Sequence, residues 1–313
     1  MGLSVDSIAI GTAGRREVNF AANPSSYYIL YRGSVVTSIS QPVSMALGTA
    51  GALQLQDPSS QVTAGFYRVL EVPQSQPLDT DGDGMDDVFE LNHPGCLDPF
   101  DPTDATSDCD GDGRSNIQEY FEGTNPTVAD APPKLVINEI DYDQPGQDTL
   151  EFIEILNKGT NTLDVSHYAL AFINGNNNLE YLRVNLSGSL SGGNYLVAAT
   201  TNVTVAAGAL LINLPAGQAN IQNGSPDGVA LINVGLRTVV NPLSYAGAMT
   251  AAVINGFTGT RSLVEGTPTP AVDSNTIVGS LVRSPDGQDS GDAASDWRFT
   301  TTPTPGAANT LTP

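Results

Sequence analysis

The amino-acid sequence predicts a mainly β protein in which two β-sandwich domains flank a short segment with two small helices. Of the 313 residues, 32 are glycine, 21 are proline and only 15 % are charged, a composition typical of turn-rich β proteins with well-formed cores. Short strand-like runs recur on both sides of the segment, and only the segment itself shows apolar residues at helical spacing. The length suits two or three domains, which we place at 1–76, 77–131 and 132–313.

The first domain, 1–76, is predicted from alternating or β-branched runs separated by turn residues. The predicted strands are 7–10, 17–20, 27–31, 34–37, 52–55 and 66–72. Pro73 and Pro77 then form a stiff junction with the next segment. The run Phe66-Tyr67-Arg68-Val69 just before an acidic repeat resembles the end of fibronectin-like modules in large bacterial secreted proteins, which implies a small β-sandwich.

A repeated acidic motif dominates the segment 77–131, because the stretch from Asp79 to Glu90 recurs 29 residues later, from Asp108 to Glu119. Calcium takes about six to eight oxygen ligands, which a twelve-residue loop supplies from positions 1, 3, 5, 7, 9 and 12 around a glycine at position 6. Both copies have glycine at position 6 and glutamate at position 12. We therefore predict Ca2+ as the cofactor, with Met85 and Arg114 donating backbone carbonyls, and the predicted ligands are Asp79, Asp81, Asp83, Met85, Asp87, Glu90, Asp108, Asp110, Asp112, Arg114, Asn116 and Glu119.

The charge of this segment favours the same prediction. Fifteen carboxylates lie between Asp79 and Asp130, beside one basic residue, Arg114. Because these carboxylates would repel one another at close range, we expect the segment to fold only when calcium binds. The alternative is an acidic, solvated linker. Apolar residues after each loop predict two short helices, the second of which ends at Gly123.

The only two cysteines, Cys96 and Cys109, lie within this segment. Their close spacing suggests a disulfide that would stabilise the fold by roughly 3 kcal/mol, and the alternative is two free buried thiols. A disulfide and calcium both suit an oxidising compartment, so we expect an extracellular or cell-surface protein. No signal-like or long apolar segment occurs, which predicts a mature secreted chain, a chain trimmed of its signal, or a piece of a larger surface protein.

The segment resembles bacterial thrombospondin type 3 repeats, which are calcium-binding and often disulfide-stapled. The resemblance rests on the first acidic run, on Leu97-Asp98-Pro99 in the connector, and on the second acidic run with Gly123-Thr-Asn-Pro after it. It implies that Asp98, Asp101 and Asp104 add ligands or bridge the two ions. The alternative for these three residues is a solvated turn.

The third domain, 132–313, shows dense strand signals at 135–140, 151–156, 168–173, 195–198, 209–214 and 228–233. It resembles the lamin tail domain, and the resemblance rests on Ile137-Asn-Glu-Ile140, Glu151 to Asn157, Gly192 to Val197, Asp227 to Leu231, Ser280 to Arg283 and Thr304 to Asn309. That family implies an immunoglobulin-like sandwich. The region 245–276 is longer than the minimal form of the family, which predicts an extra loop or hairpin.

Two acidic clusters occur in this domain. The first comprises Glu139, Asp141, Asp143, Asp148, Glu151 and Glu154, and either a third calcium site or ordinary edge-strand charge would account for it. The second comprises Asp286, Asp289, Asp292 and Asp296, where the glutamate at position 12 is missing, so a hydrogen-bonded turn is favoured over calcium. Trp297 is predicted to be a core residue.

The functional prediction is a non-enzymatic, calcium-stabilised structural or adhesion protein of the bacterial surface. The two histidines, His93 and His167, lack an adjacent nucleophile motif, and a net charge of -22 argues against nucleic acid and membrane insertion. The expected partners are a protein or polysaccharide at a cell surface, or copies of the chain itself. Two alternatives stay open: an accessory binding region of a secreted hydrolase such as a nuclease, and a subunit of a self-assembling filament.

Overall fold

A computed structural model describes residues 5–11, 14–59, 65–216 and 220–312. The predicted fold class is confirmed: strands dominate, the helices are short, and one disulfide joins Cys96 to Cys109. The chain forms two compact units. Unit 1 comprises Met1–Tyr120 with Pro126–Val128, and unit 2 comprises Phe121–Asn125 with Ala129–Pro313.

Unit 1 begins with six strands that form two three-stranded antiparallel sheets. The strands are β1 (Val5–Ile10), β2 (Arg16–Ala22), β3 (Ser26–Gly33), β4 (Gln41–Leu47), β5 (Gly51–Asp57) and β6 (Phe66–Pro73). Their order is β1-β2-β5 in one sheet and β4-β3-β6 in the other. Five of the six predicted strands are confirmed with longer bounds.

One predicted strand, 34–37, is wrong, because these residues form the turn between β3 and β4 and contain only an isolated bridge from Val35 to Ser38. β4 was not predicted from the sequence. It contains Pro42, a residue that suits β4 because this strand lies at the edge of its sheet.

The alternation of side chains along β3 gives unit 1 two apolar clusters. Tyr28 and Leu30 lie on one face and pack with Val18, Phe20 and Leu55. The opposite face carries Tyr27 and Ile29, which form a second cluster with Val72, Val88 and Leu91. Since Val88 and Leu91 belong to the helix α1 (Asp87–Leu91), the acidic segment is packed directly on the sheet.

The rest of the acidic segment contains a 3-10 turn (Asp104–Thr106) and a second helix, α2 (Asn116–Glu122). The two predicted helices are therefore confirmed. A small apolar cluster of Met85, Leu97 and Ala105, joined by Phe89 and Ile117, lies between the two loops. Asp86 caps α1, because its carboxylate accepts hydrogen bonds from the backbone N–H groups of Val88 and Phe89.

Unit 2 is an antiparallel sandwich with one parallel strand pair. Its strands are β7 (Leu135–Asp141), β8 (Phe152–Asn157), β9 (Leu163–Asp164), β10 (Tyr168–Asn174), β11 (Leu179–Asn185), β12 (Ser189–Leu190), β13 (Tyr195–Ala199), β14 (Leu210–Asn213), β15 (Asp227–Asn233), β16 (Thr238–Tyr245), β17 (Ser280–Arg283) and β18 (Trp297–Thr300). A six-stranded sheet has the order β14-β13-β8-β7-β17-β18, a four-stranded sheet has the order β11-β10-β15-β16, and β9 pairs with β12. One short helix, α3 (Ala293–Asp296), precedes β18.

The core of unit 2 lies between the two large sheets. The six-stranded sheet contributes Ile137, Ile155 and Leu196, and the four-stranded sheet contributes residues such as Leu170 and Phe172. Trp297 is fully buried in this core, as predicted.

The predicted extra loop covers the outer face of the four-stranded sheet in unit 2. Met249, Ile254 and Leu263 from this loop pack on Ala171 and Ile232. One bridge, between Ala252 and Arg261, folds the loop back on itself. Because both faces of β10 and β15 are covered, these strands are apolar along their length instead of alternating with polar residues.

Candidate metal centre

The two acidic loops share one backbone conformation. In the first loop Gly82 and Gly84 have φ values of 84° and 101°, and in the second Gly111 and Gly113 have φ values of 81° and 95°. This left-handed region is open to glycine at little cost, which explains the glycine at positions 4 and 6 of each loop. The first aspartate holds the turn in both copies, since Asp79 accepts hydrogen bonds from the N–H groups of Gly82 and Gly84, at 2.7 and 3.1 Å. Asp108 accepts the equivalent bonds from Gly111 and Gly113, at 2.8 and 3.0 Å.

Carboxylate oxygens at the first loop form two overlapping groups. One oxygen each from Asp79, Asp81 and Asp83 lie within 4.8 Å of one another, and so do oxygens from Asp83, Glu90 and Asp104. Asp83 belongs to both groups and therefore connects them. Helix α1 positions Glu90, because position 12 of the loop falls within this helix.

Several of these oxygen atoms are buried without a hydrogen-bond donor. Glu90 has no exposed surface, and neither of its carboxylate oxygens has a partner. One oxygen of each of Asp81, Asp83 and Asp104 is in the same state. A buried acceptor without a donor costs about 1–3 kcal/mol, and more when it is charged. A divalent cation that prefers oxygen ligands would satisfy all of these atoms, so the residues present fit calcium.

Burial raises the pKa values of Asp81, Asp83, Asp87 and Glu90 in the first loop. The pKa of Glu90 rises to about 9, first because of burial and then because of the charges of Asp81, Asp83 and Asp104. Burial and the neighbouring Asp83 raise the pKa of Asp81 to about 6. Without a nearby cation, the carboxyl group of Glu90 therefore favours a bound proton over the ionised form at neutral pH.

Asp87, the predicted ligand at position 9, is not among the converging carboxylates. Its oxygens accept hydrogen bonds from the Tyr27 hydroxyl at 2.9 Å, from the Thr80 N–H at 2.8 Å and from the Thr80 hydroxyl at 2.8 Å. Asn116 holds the same position of the second loop and has the same role, since its side-chain oxygen accepts from the Cys109 N–H at 3.3 Å. In both copies, the side chain at position 9 therefore stabilises the loop by accepting hydrogen bonds.

Asp104, from the connector, lies with carboxylates of the first loop. It is 9 % exposed, and one of its oxygens accepts a hydrogen bond from the Asp98 N–H at 2.7 Å. The other oxygen is buried without a donor, and one oxygen of Asp104 lies within 4.8 Å of oxygens of Asp83 and Glu90. Of the three connector aspartates that the sequence singles out, Asp101 caps an exposed turn through bonds from Thr103, and Asp98 accepts a bond from the Phe100 N–H.

The second loop differs from the first through Arg114 at position 7. One oxygen each from Asp108, Asp110 and Asp112 lie within 4.8 Å of one another, and Glu119 approaches Asp112 within the same distance. The guanidinium of Arg114 lies 2.7 Å from an Asp112 oxygen and 3.7 Å from a Glu119 oxygen. Met85 occupies this position in the first loop and is buried in an apolar cluster. The guanidinium of Arg114 thus places a positive charge beside the carboxylates of the second loop.

The acidic clusters of unit 2 are hydrogen-bonded. Glu139 accepts bonds from Ser280 and Thr304, and Glu154 accepts bonds from Asn138 and from the Gly306 N–H. No group of three metal-ligating side chains converges within 4.8 Å around either cluster, as far as the described residues extend.

In the cluster at 286–296 the guanidinium of Arg283 lies 3.2 Å from Asp296. Asp296 also accepts bonds from the Ser290 N–H and hydroxyl. Asp286 accepts a bond from the Tyr195 hydroxyl. This is the hydrogen-bonded arrangement that the sequence favours for this cluster.

Both histidines also lie in structural contacts. Nδ1 of His93 is 2.8 Å from the carbonyl oxygen of Phe89, and the ring of His167 packs edge-on against Phe121. Within the described residues, no helix has the length and apolar character needed to cross a membrane.

The two packed sheets of unit 2 define an immunoglobulin-like β-sandwich. Within it, residues 128–247 match the family model of the lamin tail domain, which confirms the resemblance for that region. The matched residues include the strands β7 to β16, whereas β17, α3 and β18 lie beyond them. A search among curated proteins found no match.

Proposed function

We propose that this protein is a calcium-stabilised structural or adhesion protein of the bacterial cell surface. Its acidic segment would act as a pair of calcium loops of the thrombospondin type 3 kind. The observation that carries the proposal is Glu90, a fully buried carboxylate with two unpartnered oxygens that converges with Asp83 and Asp104. A buried charge in this state is unfavourable unless a cation accompanies it.

In this proposal the first ion is held by Asp79, Asp81, Asp83, Glu90 and Asp104. The second ion is held by Asp108, Asp110, Asp112 and Glu119, in competition with Arg114. Calcium would supply positive charge and oxygen coordination, without any catalytic step. The disulfide between Cys96 and Cys109 supports an oxidising compartment, which is also where calcium is plentiful.

Ion binding would be transmitted to the N-terminal sheet through α1. Glu90 lies on this helix, and Val88 and Leu91 of the same helix pack against Tyr27 and Ile29. The Tyr27 hydroxyl accepts a hydrogen bond from the Leu78 N–H at 2.9 Å and donates one to Asp87. Binding at the first loop would therefore stabilise the sheet as well as the loop.

Calcium titration of the whole chain tests this proposal, followed by circular dichroism, thermal unfolding and metal analysis. At a free calcium concentration of about 100 times the dissociation constant, the stabilisation should reach about 2.7 kcal/mol per independent site. Magnesium serves as the control, because it demands a smaller, octahedral shell and should stabilise less. If calcium left the melting temperature and the spectrum unchanged, the proposal would be wrong.

One observation favours the filament alternative as a second candidate. β1 lies at the end of its sheet, and its apolar side chains Ile8 and Ile10 are 57 % and 70 % exposed. An exposed apolar edge strand can pair with another chain. Electron microscopy with calcium and with a chelator would show whether copies assemble, and dispersed particles in both samples would contradict this candidate.

A further inference from the structure

The only two lysines of the chain, Lys134 and Lys158, lie directly opposite each other in unit 2. Lys134 immediately precedes β7 and Lys158 immediately follows β8, whose antiparallel register pairs Leu135 with Asn157. The N–H of Lys158 donates a hydrogen bond to the carbonyl oxygen of Lys134 at 2.8 Å, which extends this register by one pair. Opposite residues of antiparallel strands point to the same face, with Cβ atoms about 4.5–5.5 Å apart. The two lysine side chains therefore leave the backbone at neighbouring points on the same face of the sheet.

This arrangement is unfavourable unless an anion is nearby. Like charges directly opposite each other destabilise a strand pair. The chain has 34 acidic residues that could neutralise the pair. Yet across the described residues, neither Lys134 nor Lys158 forms an ion pair or a side-chain hydrogen bond. Both lysines are exposed, so their ammonium groups are accessible to a ligand.

The two lysines line a cavity of about 230 Å3 that also offers apolar and polar surface. Pro132, Pro133 and Leu163 are apolar residues of its lining, and Thr160 and Asn161 are polar ones. This combination fits a small ligand that has both a charge and a ring.

The loop that carries Lys158 is held by a buried side chain, Asn157. Asn157 has no exposed surface, accepts a hydrogen bond from the Gly159 N–H at 2.9 Å and donates to the carbonyl oxygens of Asn161 and Leu190 at 2.9 and 3.1 Å. These bonds fix the turn after β8. The backbone under Lys158 is therefore preorganised for binding.

We propose that this cavity binds a carboxylate-bearing sugar residue, such as a uronic acid unit of an acidic polysaccharide. The carboxylate would lie between the two ammonium groups, one face of the ring would contact Pro132 and Pro133, and ring hydroxyls would reach Thr160 and Asn161. A free phosphate would gain the same charge pairing but would leave the apolar surface uncovered. The proposal deepens the adhesive role proposed above by naming a ligand class, and rests on it only for the source of that ligand, since the cavity belongs to unit 2.

Titration calorimetry and amide NMR of the whole, isotopically labelled chain with sodium glucuronate test the site. The signals of Lys158, Gly159 and Thr160 should shift, glucose should bind at least about tenfold more weakly, and raising the salt concentration should weaken glucuronate binding. Inorganic phosphate should also bind more weakly than glucuronate. Equal binding of glucose and glucuronate, or tighter binding of phosphate, would overturn the choice of ligand.

Lys134→Gln and Lys158→Gln should each lower glucuronate affinity by about fivefold to tenfold, which is the net size of one ordinary hydrogen bond and suits an exposed contact. Both sites are exposed, so folding should persist, and Lys134→Arg and Lys158→Arg should retain most of the affinity. Arg237→Gln removes an exposed charge outside this cavity and should have no effect. Unchanged binding by the double glutamine variant would refute the site.

Repeating the titration with calcium and with a chelator separates this inference from the calcium proposal. Glucuronate should bind with the same affinity in both samples. Loss of the sugar response alone would overturn only the lysine site, and loss of the calcium response alone would overturn only the calcium loops.

Discussion

Glu90 in unit 1 and Glu154 in unit 2 are both fully buried glutamates, yet their surroundings are opposite. Each oxygen of Glu154 accepts a hydrogen bond, from Asn138 at 2.8 Å and from the Gly306 N–H at 2.6 Å. Neither oxygen of Glu90 has a donor. Burial raises the pKa of both groups, to about 9 for Glu90 and to about 8 for Glu154.

The difference shows that acidic composition alone does not define a metal site. Glu154 and its neighbour Glu139 hold the C-terminal segment at Thr304 and Gly306, so their charge has a structural role within the sandwich. Glu90 instead converges with carboxylates that carry unpartnered oxygens of their own. The first calcium loop therefore differs from the acidic clusters of unit 2 in having buried oxygen atoms without a hydrogen-bond donor. The following predictions test this difference.

The largest effect is expected from Glu90→Gln. Removing one unit of negative charge next to a divalent cation costs several kcal/mol even at a surface-like dielectric, so calcium affinity at the first loop should fall at least about a hundredfold. The substitution itself should not destabilise the calcium-free protein further, because the raised pKa of Glu90 already favours an uncharged side chain. Titration calorimetry with calcium measures both sites.

Glu154→Gln is the matched control for Glu90→Gln. It should leave calcium affinity unchanged, because both oxygens of Glu154 are already occupied by the donors Asn138 and Gly306. The single tryptophan, Trp297, is buried in unit 2 and reports its unfolding by fluorescence. If the two variants weakened calcium binding equally, the distinction between the two sites would fail.

Asp104→Asn should weaken calcium binding by roughly tenfold, because it removes a charged oxygen that lies with Asp83 and Glu90. Asp101→Asn removes the same charge from an exposed turn three residues earlier and should change affinity by less than about twofold. Calorimetry of both variants beside the unaltered protein gives the comparison. Equal effects would mean that the charge of the segment, and not its geometry, governs binding.

Arg114→Met makes position 7 of the second loop the same as in the first. Because the guanidinium lies 2.7 Å from Asp112, it should oppose calcium, and its removal should raise the affinity of the second loop by about fivefold to tenfold. Measuring the change in a Glu90→Gln background isolates the second loop. Arg68→Met removes a charge from the N-terminal sheet as a control, and an affinity that did not rise above this control would contradict the competition.

The sequence predicted the strands that carry long apolar runs, such as β3 and β10, and missed some of those at sheet edges, such as β4, β11 and β16. β11 lies at an edge and includes the ion pair between Glu180 and Arg183, so it lacks a clear alternating pattern. β16, also an edge strand, contains Pro242. An edge strand does not need apolar residues on both of its faces. Hydrophobic periodicity therefore identifies such strands less well.

The loop spacing predicted ligands that lie close together, namely Asp79, Asp81 and Asp83, but it could not predict the contacts made at position 9. Asp87 is bonded to Tyr27, a residue 60 positions earlier, and no local pattern could reveal that partner. The loop spacing predicted only that the backbone carbonyl of Arg114 would bind the ion. It did not predict that the Arg114 guanidinium donates a hydrogen bond to Asp112. Local spacing fixes the turn, while long-range packing decides which side chains remain available to an ion.

The last prediction concerns Glu154, whose oxygens both accept hydrogen bonds, and the response of unit 2 to pH. The pKa of Glu154 is raised to about 8 in the folded protein, chiefly by burial, against an ordinary value of 4.5. Between these values the folded state binds more protons than the unfolded state, so the stability of unit 2 should fall as pH rises from about 5 to 8, by at most about 1.4 kcal/mol per pH unit for each proton. Denaturant unfolding followed by Trp297 fluorescence at saturating calcium measures this slope. In Glu154→Gln the slope should be smaller, because the variant has no titrating group there. An identical slope in both proteins would assign the pH dependence to other buried carboxyls, such as Asp141, whose pKa is raised to about 9.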